Sequence, residues 1–245
     1  MMNLTKINSM TKYPSILTYH KLGERGKLLD EVLVSFDEPA ILTEKIDGVN
    51  GRIIVFPDGL YIIGSREELL YAKGDLIGNP QLGIVDTLKP IADVIAASDV
   101  LTVYYLEVYG GKTTKNSNQY TGNQSISARL FDVATIPNRA EILSVPIEKI
   151  AAWRDNDGQT FLDERDLTSN AVEIQVPLTP RLGTAKIPAG LVETYELMER
   201  TISKTRAAMD DDALGRPEGI VARTCDRSKI AKLRFEDYER TFRGK

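Results

Sequence analysis

Two apolar runs, Ile53-Ile54-Val55-Phe56 and Leu60-Tyr61-Ile62-Ile63, flank the tripeptide Pro57-Asp58-Gly59. Three residues can join antiparallel strands and are far too few for a parallel crossover, so the stretch is expected to form a β-hairpin. The β structure is expected to begin at Ala40 and to run to Gly64. Ile84, Leu88, Ile91 and Ile95 recur at helical spacing and predict a helix over 85–97, with Asp86 as its N-cap. Residues 100–108 and 127–135 read as further strands. Helices are predicted over 146–154 and 189–209, the second carrying Leu191, Tyr195 and Met198 on one stripe. Short strands over 219–222 and 229–235 close the chain. Such a mixture, with many antiparallel strands, predicts the α+β class.

A fold of this kind needs a core, and 245 residues with 42% hydrophobic content supply one. No repeat, low-complexity tract or long linker divides the chain, so a single domain over 1–245 is expected. Lys and Arg number 31 against 35 Asp and Glu, a net charge of -4 that excludes a uniformly basic nucleic-acid coat. The charge is uneven: from Arg223 to Lys245 eight cations face four carboxylates, +4, which leaves -8 for the rest. That stretch is either a solvated surface or a phosphate-facing edge. One cysteine, Cys225, excludes an internal disulfide and a cysteine-based zinc site, and fits a reducing compartment. The N-terminal stretch has no apolar signal region, and no apolar run approaches the roughly 18 residues that span a bilayer. A cytoplasmic protein with no membrane partner is expected.

Between two β runs lies Thr43-Glu44-Lys45-Ile46-Asp47-Gly48-Val49-Asn50-Gly51-Arg52. Gly48 permits a sharp turn and close backbone approach by a ligand. A lysine amine beside such a turn can act as a nucleophile once it loses a proton held up to an ordinary pKa of about 10.4. By itself, Lys-x-Asp-Gly reads first as a hairpin lysine before a turn.

It does not stand by itself. Gly64-Ser65-Arg66 follows at the end of the hairpin, then Tyr105-Leu106-Glu107-Val108-Tyr109-Gly110, Leu130-Phe131-Asp132-Val133, Pro217-Glu218-Gly219-Ile220-Val221 and Ile230-Ala231-Lys232-Leu233-Arg234. In this order the segments resemble the collinear motifs of the covalent nucleotidyltransferase superfamily of ATP-dependent ligases and capping enzymes, over roughly residues 40 to 235. Within it the chain is most similar to the RNA ligase family. Asn50 stands where DNA ligases and capping enzymes usually carry Arg, and Glu44 and Lys12-Tyr13-Pro14 are also RNA-ligase-like. Two departures are present. The last motif ends in Arg234 instead of Lys, which keeps the charge and changes the geometry. Arg52, seven residues after Lys45, is no substitute for the missing arginine at Asn50.

The resemblance implies a nucleotidyltransferase (ATP-grasp-like ligase adenylation) domain, with two antiparallel sheets, flanking helices and ATP in the cleft between them. It implies an ATP-dependent RNA ligase in RNA repair. Lys45 would attack the ATP α-phosphorus to form lysyl-AMP; AMP would pass to an RNA 5′-phosphate, and a 3′-OH would seal the strand. By the same analogy Glu44, Asn50, Arg66, Glu107, Phe131, Lys232 and Arg234 bind the nucleotide together with Lys45. Glu107 would contact the ribose, Phe131 would stack on adenine, and Arg66 would hold the ribose or a phosphate. Asn50 would position metal-bound water or the nucleic-acid end, and Glu218 would hold Mg²⁺ or Mn²⁺. Lys232 and Arg234, two apart on a strand, point to one face and can reach the same phosphate. The alternatives are a salt-bridged Glu107 and Glu218, a core Phe131 and a solvated charged strand. The implied partner is RNA, as a nicked or broken duplex with 5′-phosphate and 3′-OH ends.

Only eleven residues follow Arg234, which leads to the expectation of a bare catalytic domain with no appended oligonucleotide-binding fold. Grip on RNA would then come from local patches or a partner protein. A minimal DNA nick ligase and a nucleotide-binding protein without ligase activity are the competing readings. His20 is expected at a surface or in a loop, Cys225 as a bystander, and Asp210-Asp211-Asp212 in a solvated loop.

Overall fold

The computed structural model describes residues 3–79 and 81–243. Lys245, which ends the basic stretch, lies outside the described residues. In chain order the strands are β1 (Leu17–Thr18), β2 (His20–Leu22), β3 (Leu28–Val32), β4 (Ala40–Lys45), β5 (Val49–Val55), β6 (Tyr61–Ser65) and β7 (Leu69–Ala72). They continue with β8 (Asp75–Leu76), β9 (Leu101–Gly110), β10 (Ile126–Ile136), β11 (Thr160–Phe161), β12 (Arg181–Ala185), β13 (Gly219–Arg223) and β14 (Ile230–Arg234). The helices are α1 (Leu4–Thr11), α2 (Ile84–Ala92), α3 (Arg139–Ser144), α4 (Ile147–Asp155), α5 (Glu164–Glu173), α6 (Leu191–Thr201) and α7 (Phe235–Phe242). The mixture is α+β, as expected.

The chain forms two compact units. The first contains α1, residues 48–115 and residues 126–178. Its sheet has the order β11-β10-β9-β5-β6-β7-β8, and every pair is antiparallel. The Pro57-Asp58-Gly59 turn joins β5 to β6 as the hairpin requires, and the Phe56 N–H donates to the Leu60 carbonyl at 2.9 Å. Side chains alternate between faces, so Ile53, Leu106 and Leu130 pack with Leu88 of α2 and Leu167 of α5. Ile54 and Tyr105 take the other face, with Ile7 and Met10 of α1 and Ile150 of α4. Both faces of this sheet are therefore covered.

The second unit contains residues 16–47, 116–125 and the chain from Thr179 onward. Its main sheet runs β1-β14-β13-β4-β12, and β2 and β3 pair as a separate ribbon. One face packs Ala40, Leu42, Ile220, Ala231 and Leu233 against Leu191 and Met198 of α6 and Tyr238 of α7. Two antiparallel sheets were expected, and the structure adds the ribbon and one parallel edge, β1 beside β14. More than two hundred residues separate those two strands, so the parallel pair meets no connection limit.

Three expectations need correcting. Helix α2 starts after Gly83, whose left-handed backbone (φ 69°) makes the cap, and Asp86 lies inside the first turn. The helix ends at Ala92; Ile95 packs against the same core from the following loop, so its spacing mimics a longer helix. Helix α6 stops at Thr201 instead of 209. Beyond it the Thr205 N–H donates to the Gly215 carbonyl (2.7 Å) and the Met209 N–H to the carbonyl of Tyr120 (2.8 Å), which lies far back in the chain, so neither makes a helical bond. Finally, His20 is buried, not on the surface. Its Nε2 bonds the Ala189 carbonyl at 2.8 Å and its Nδ1 the Tyr238 hydroxyl at 2.8 Å. A carbonyl only accepts, so Nε2 carries the proton and Nδ1 accepts from the tyrosine.

Candidate active site

In the second unit, one face of the β4-β13-β14 ladder is apolar core and the other carries motif residues. Leu42, Ile220, Ala222, Ala231 and Leu233 point into the core, so Thr43, Lys45, Val221, Lys232 and Arg234 point the other way. Register brings Lys45 and Arg234 to opposite sides of Gly219, which pairs with both. Gly219 contributes no side chain to this row. A Cβ there would stand 2.1 Å from the Leu233 carbonyl oxygen, so only glycine permits the close approach.

Lys45 Nζ donates to Glu218 Oε2 at 2.6 Å, with the two side chains 26% and 21% exposed. Burial pushes the Glu218 carboxyl above its ordinary value, against the opposing pull of Lys45. Arg234 donates Nε and an Nη to the two oxygens of Asp237 in α7, at 2.8 and 2.9 Å. That fork fixes the guanidinium while leaving it partly exposed. The basic stretch is laced with similar pairs, including Arg240 with Asp237 and Glu236 and Arg243 with Glu239.

Glu44 is 1% exposed and faces away from Lys45 along the strand. Its carboxylate accepts from the Thr205 hydroxyl and from the Arg206 N–H (2.8 Å). It therefore fastens the segment after α6 to the strand that carries Lys45. The turn that follows is held in the same way. Tyr120 accepts the Asp47 N–H on its hydroxyl at 2.7 Å, and the Asn116 amide donates to the Asp47 carboxylate. Burial raises the Tyr120 phenol well above its ordinary value, so it stays neutral. Neither Asn116 nor Tyr120 carried a sequence signal, because Asn-Ser-Asn-Gln-Tyr reads only as a polar loop.

In the first unit, Asn50 and Glu107 are cross-strand partners on β5 and β9. Glu107 Oε1 accepts the Gly48 N–H at 3.1 Å. A Cβ on Gly48 would meet the Val108 carbonyl oxygen at 2.4 Å, which explains the glycine of the motif. Asn50 Oδ1 is buried with no hydrogen-bond partner among the described residues, an acceptor that an incoming donor would satisfy. Phe131 occupies a β-bulge, since Leu130 pairs with Leu106 and Asp132 with the adjacent Tyr105. Its ring meets Tyr13 edge-on at 5.0 Å and stacks near Tyr105 at 6.3 Å. Tyr13 also donates its hydroxyl to Asp132 at 2.8 Å, which ties Lys12-Tyr13-Pro14 to the aromatic-Asp motif. Arg66 is more than half exposed and donates to Ser15 at 3.2 Å.

The structure thus gathers Lys45, Glu218, Lys232 and Arg234 on one unit, and Asn50, Arg66, Glu107 and Phe131 on the other. Cys225 is exposed and free. Asp210-Asp211-Asp212 lie in a loop with Asp211 and Asp212 exposed, as expected, and Asp210 accepts from the Thr121 hydroxyl (2.5 Å) and the Gly122 N–H (2.9 Å), closing the loop onto 121–122. Among the described residues no group of three His, Cys, Asp or Glu side chains could hold a metal ion, and no helix is long and apolar enough to cross a membrane. The donor set still fits Mg²⁺ or Mn²⁺ in one way. Glu218 supplies a single carboxylate, and phosphate oxygens and waters would complete the shell, the usual manner for Mg²⁺.

The family model for RNA ligase matches residues 38–235. No curated protein sequence matches the chain. Among solved structures, it is similar to an RNA ligase from Naegleria gruberi, a variant of which was determined with ATP and Mn. Identity is 12% over 94% of this chain and 58% of that one, at a TM-score of 0.62. The same protein with PPi matches at 12% identity, over 96% of this chain and 59% of that one, with a TM-score of 0.60. At such identity the likeness is one of fold. The chain spans less than two-thirds of the length of these structures.

Proposed function

The chain belongs to the RNA ligase family, and from that premise we propose that it is an ATP-dependent RNA ligase that works through a Lys45–AMP intermediate. The observation that carries this reading is the Lys45–Glu218 contact of 2.6 Å on the same strand face as Lys232 and Arg234. In the first step the Lys45 Nζ lone pair attacks the α-phosphorus of ATP. A P–N bond forms, the bond to the bridging oxygen breaks, and pyrophosphate leaves with that electron pair. Lys45 attacks as the neutral amine, Glu218 Oε2 holds it in place, and the extra proton on the newly bonded nitrogen passes to solvent. A divalent ion bound at Glu218 would neutralise the phosphate oxygens as charge shifts onto the leaving group.

Lys232 and Arg234 meet the α-phosphate from the open face, and Gly219 leaves room for it beside Lys45. Fixed cations aimed at developing charge are the main source of rate in phosphoryl transfer. Phe131 offers a ring face to adenine, Glu107 accepts from the ribose, and Arg66 contacts the ribose or a phosphate. Asn50 Oδ1 takes a donor from metal-held water or the RNA end. Glu44 serves through strand β4 by holding the backbone that presents Lys45. The adenylyl group then passes to an RNA 5′-phosphate, and a 3′-OH displaces AMP to seal a nicked or broken strand. The fold assignment accompanying this reading is a nucleotidyltransferase adenylation domain.

Incubation with α-labelled ATP and Mg²⁺, followed by a denaturing gel, tests the proposal. Label is expected on the wild type and absent from Lys45→Ala; label surviving in the variant sinks the assignment. Joining assays on matched RNA and DNA nicks then separate an RNA ligase from a DNA nick ligase.

A further inference from the structure

Arg52 lies outside every role above. It is fully buried (0% exposed) on the face of β5 that carries Asn50, and its Nη2 donates to Asn8 Oδ1. Nε and Nη1 have no hydrogen-bond partner among the described residues. Gly64, its cross-strand neighbour, makes room for it: a Cβ there would lie 2.9 Å from Nε. Burial pulls the guanidinium down to about 10, still charged at neutral pH. With no ion-pair partner among the described residues, this buried cation favours an anion held near it.

Asn8 leads from Arg52 to a cavity of about 610 Å³ in the first unit. Lys12, Arg66 and Arg154 line it, against two carboxylates, Glu67 and Asp155. The cations are the more buried members of their pairs. Lys12 is 26% exposed and its partner Glu67 68%; Arg154 is 14% exposed and its partner Asp155 54%. Ion pairs with so exposed a partner are weak and easily exchanged. An incoming anion can therefore take over the cations while the carboxylates turn to water.

We propose that this cavity binds one phosphate group, held by Lys12 and Arg154, with Arg52 as the buried counter-charge reached through Asn8. The phosphate comes either from free phosphate or from an RNA strand. Its assignment to RNA rests on the ligase reading, whereas the phosphate chemistry does not.

Binding to the full chain at constant ionic strength is measured with three probes: inorganic phosphate, a 5′-phosphorylated RNA, and the same RNA with a 5′-hydroxyl. Lys12→Ala and Arg154→Gln are each expected to weaken the bound probe by about tenfold. Preference for the phosphorylated RNA assigns the site to a strand end; equal binding of both RNAs assigns it to an internal phosphodiester; binding of inorganic phosphate alone assigns it to the free ion. Arg52→Met should abolish the rise in melting temperature that the bound probe confers. Affinity for every probe unchanged in all three variants overturns the proposal. Lys45 labelling is run beside it: loss of label in the wild type rejects the ligase reading alone and leaves the phosphate result standing.

Discussion

Glu218 has two opposed demands on it, since burial favours its neutral form and Lys45 its charged form. Burial wins in direction, so the native carboxyl holds its proton to a higher pH than the unfolded one does. Between the ordinary value of 4.5 and the raised native value, the native state binds more protons, and stability falls as pH rises. Urea unfolding at a series of pH values should show the wild type losing stability relative to Glu218→Gln across that window. A difference that grows with pH would mean that the ion pair dominates. For chemistry, Glu218→Ala should cut self-adenylation by at least about tenfold through loss of metal-held charge. Unchanged labelling across Mg²⁺ concentrations argues against that role. Tyr120→Phe leaves the Asp47 N–H without its acceptor and should cost about 1–2 kcal/mol in stability. It should also slow labelling of Lys45 by about tenfold, because a small misplacement of a reacting group is expensive. Labelling at the wild-type rate would show that the turn holds itself.

At the level of strands, the site depends on where side chains are missing. Gly219 pairs with both Lys45 and Arg234, and its Cβ would collide with the Leu233 carbonyl oxygen. Gly219→Ala is expected to force β13 and β14 apart, costing about 1–3 kcal/mol, and to abolish labelling of Lys45. Retained labelling with a lowered melting temperature would confine the glycine to a structural role. The strands were readable because β5, β6 and β9 carry continuous apolar runs bounded by turn residues, while β10 alternates. The ends of α2 and α6 were not, because they are set by partners far away in the chain: Ile95 reaches the core from a loop, and Glu44 captures Thr205 and Arg206. Helix α7 was missed for another reason. Its eight residues bury Phe235, Tyr238 and Thr241, too short a run for periodicity to stand out from the preceding strand.

Over the whole molecule, a net charge of -4 means that the RNA of the proposed ligase reaction would be held by local cations instead of a general field. The salt dependence of RNA binding should accordingly be shallow, and Lys232→Ala should reduce its log–log slope by about 1. A steep slope unaffected by that change would place the contacts elsewhere. Core truncations should weigh on the unit that holds them: Leu106→Ala and Leu233→Ala are each expected to cost about 2–5 kcal/mol, read by hydrogen exchange in their own sheets. The sequence by itself determined the α+β class, the central hairpin and the ordered motif residues, including Lys45 and Glu218. These are local patterns: alternation, a three-residue turn, and short motifs whose order survives in one dimension. Only the tertiary structure decided that Glu44 braces the loop after α6, that Tyr120 and Asn116 clamp Asp47, and that His20 is buried. It alone set Arg52 with two idle donors next to a cationic cavity. Each of these depends on groups tens to hundreds of residues apart meeting within hydrogen-bond distance, and nothing in the local spacing of residues encodes such a meeting.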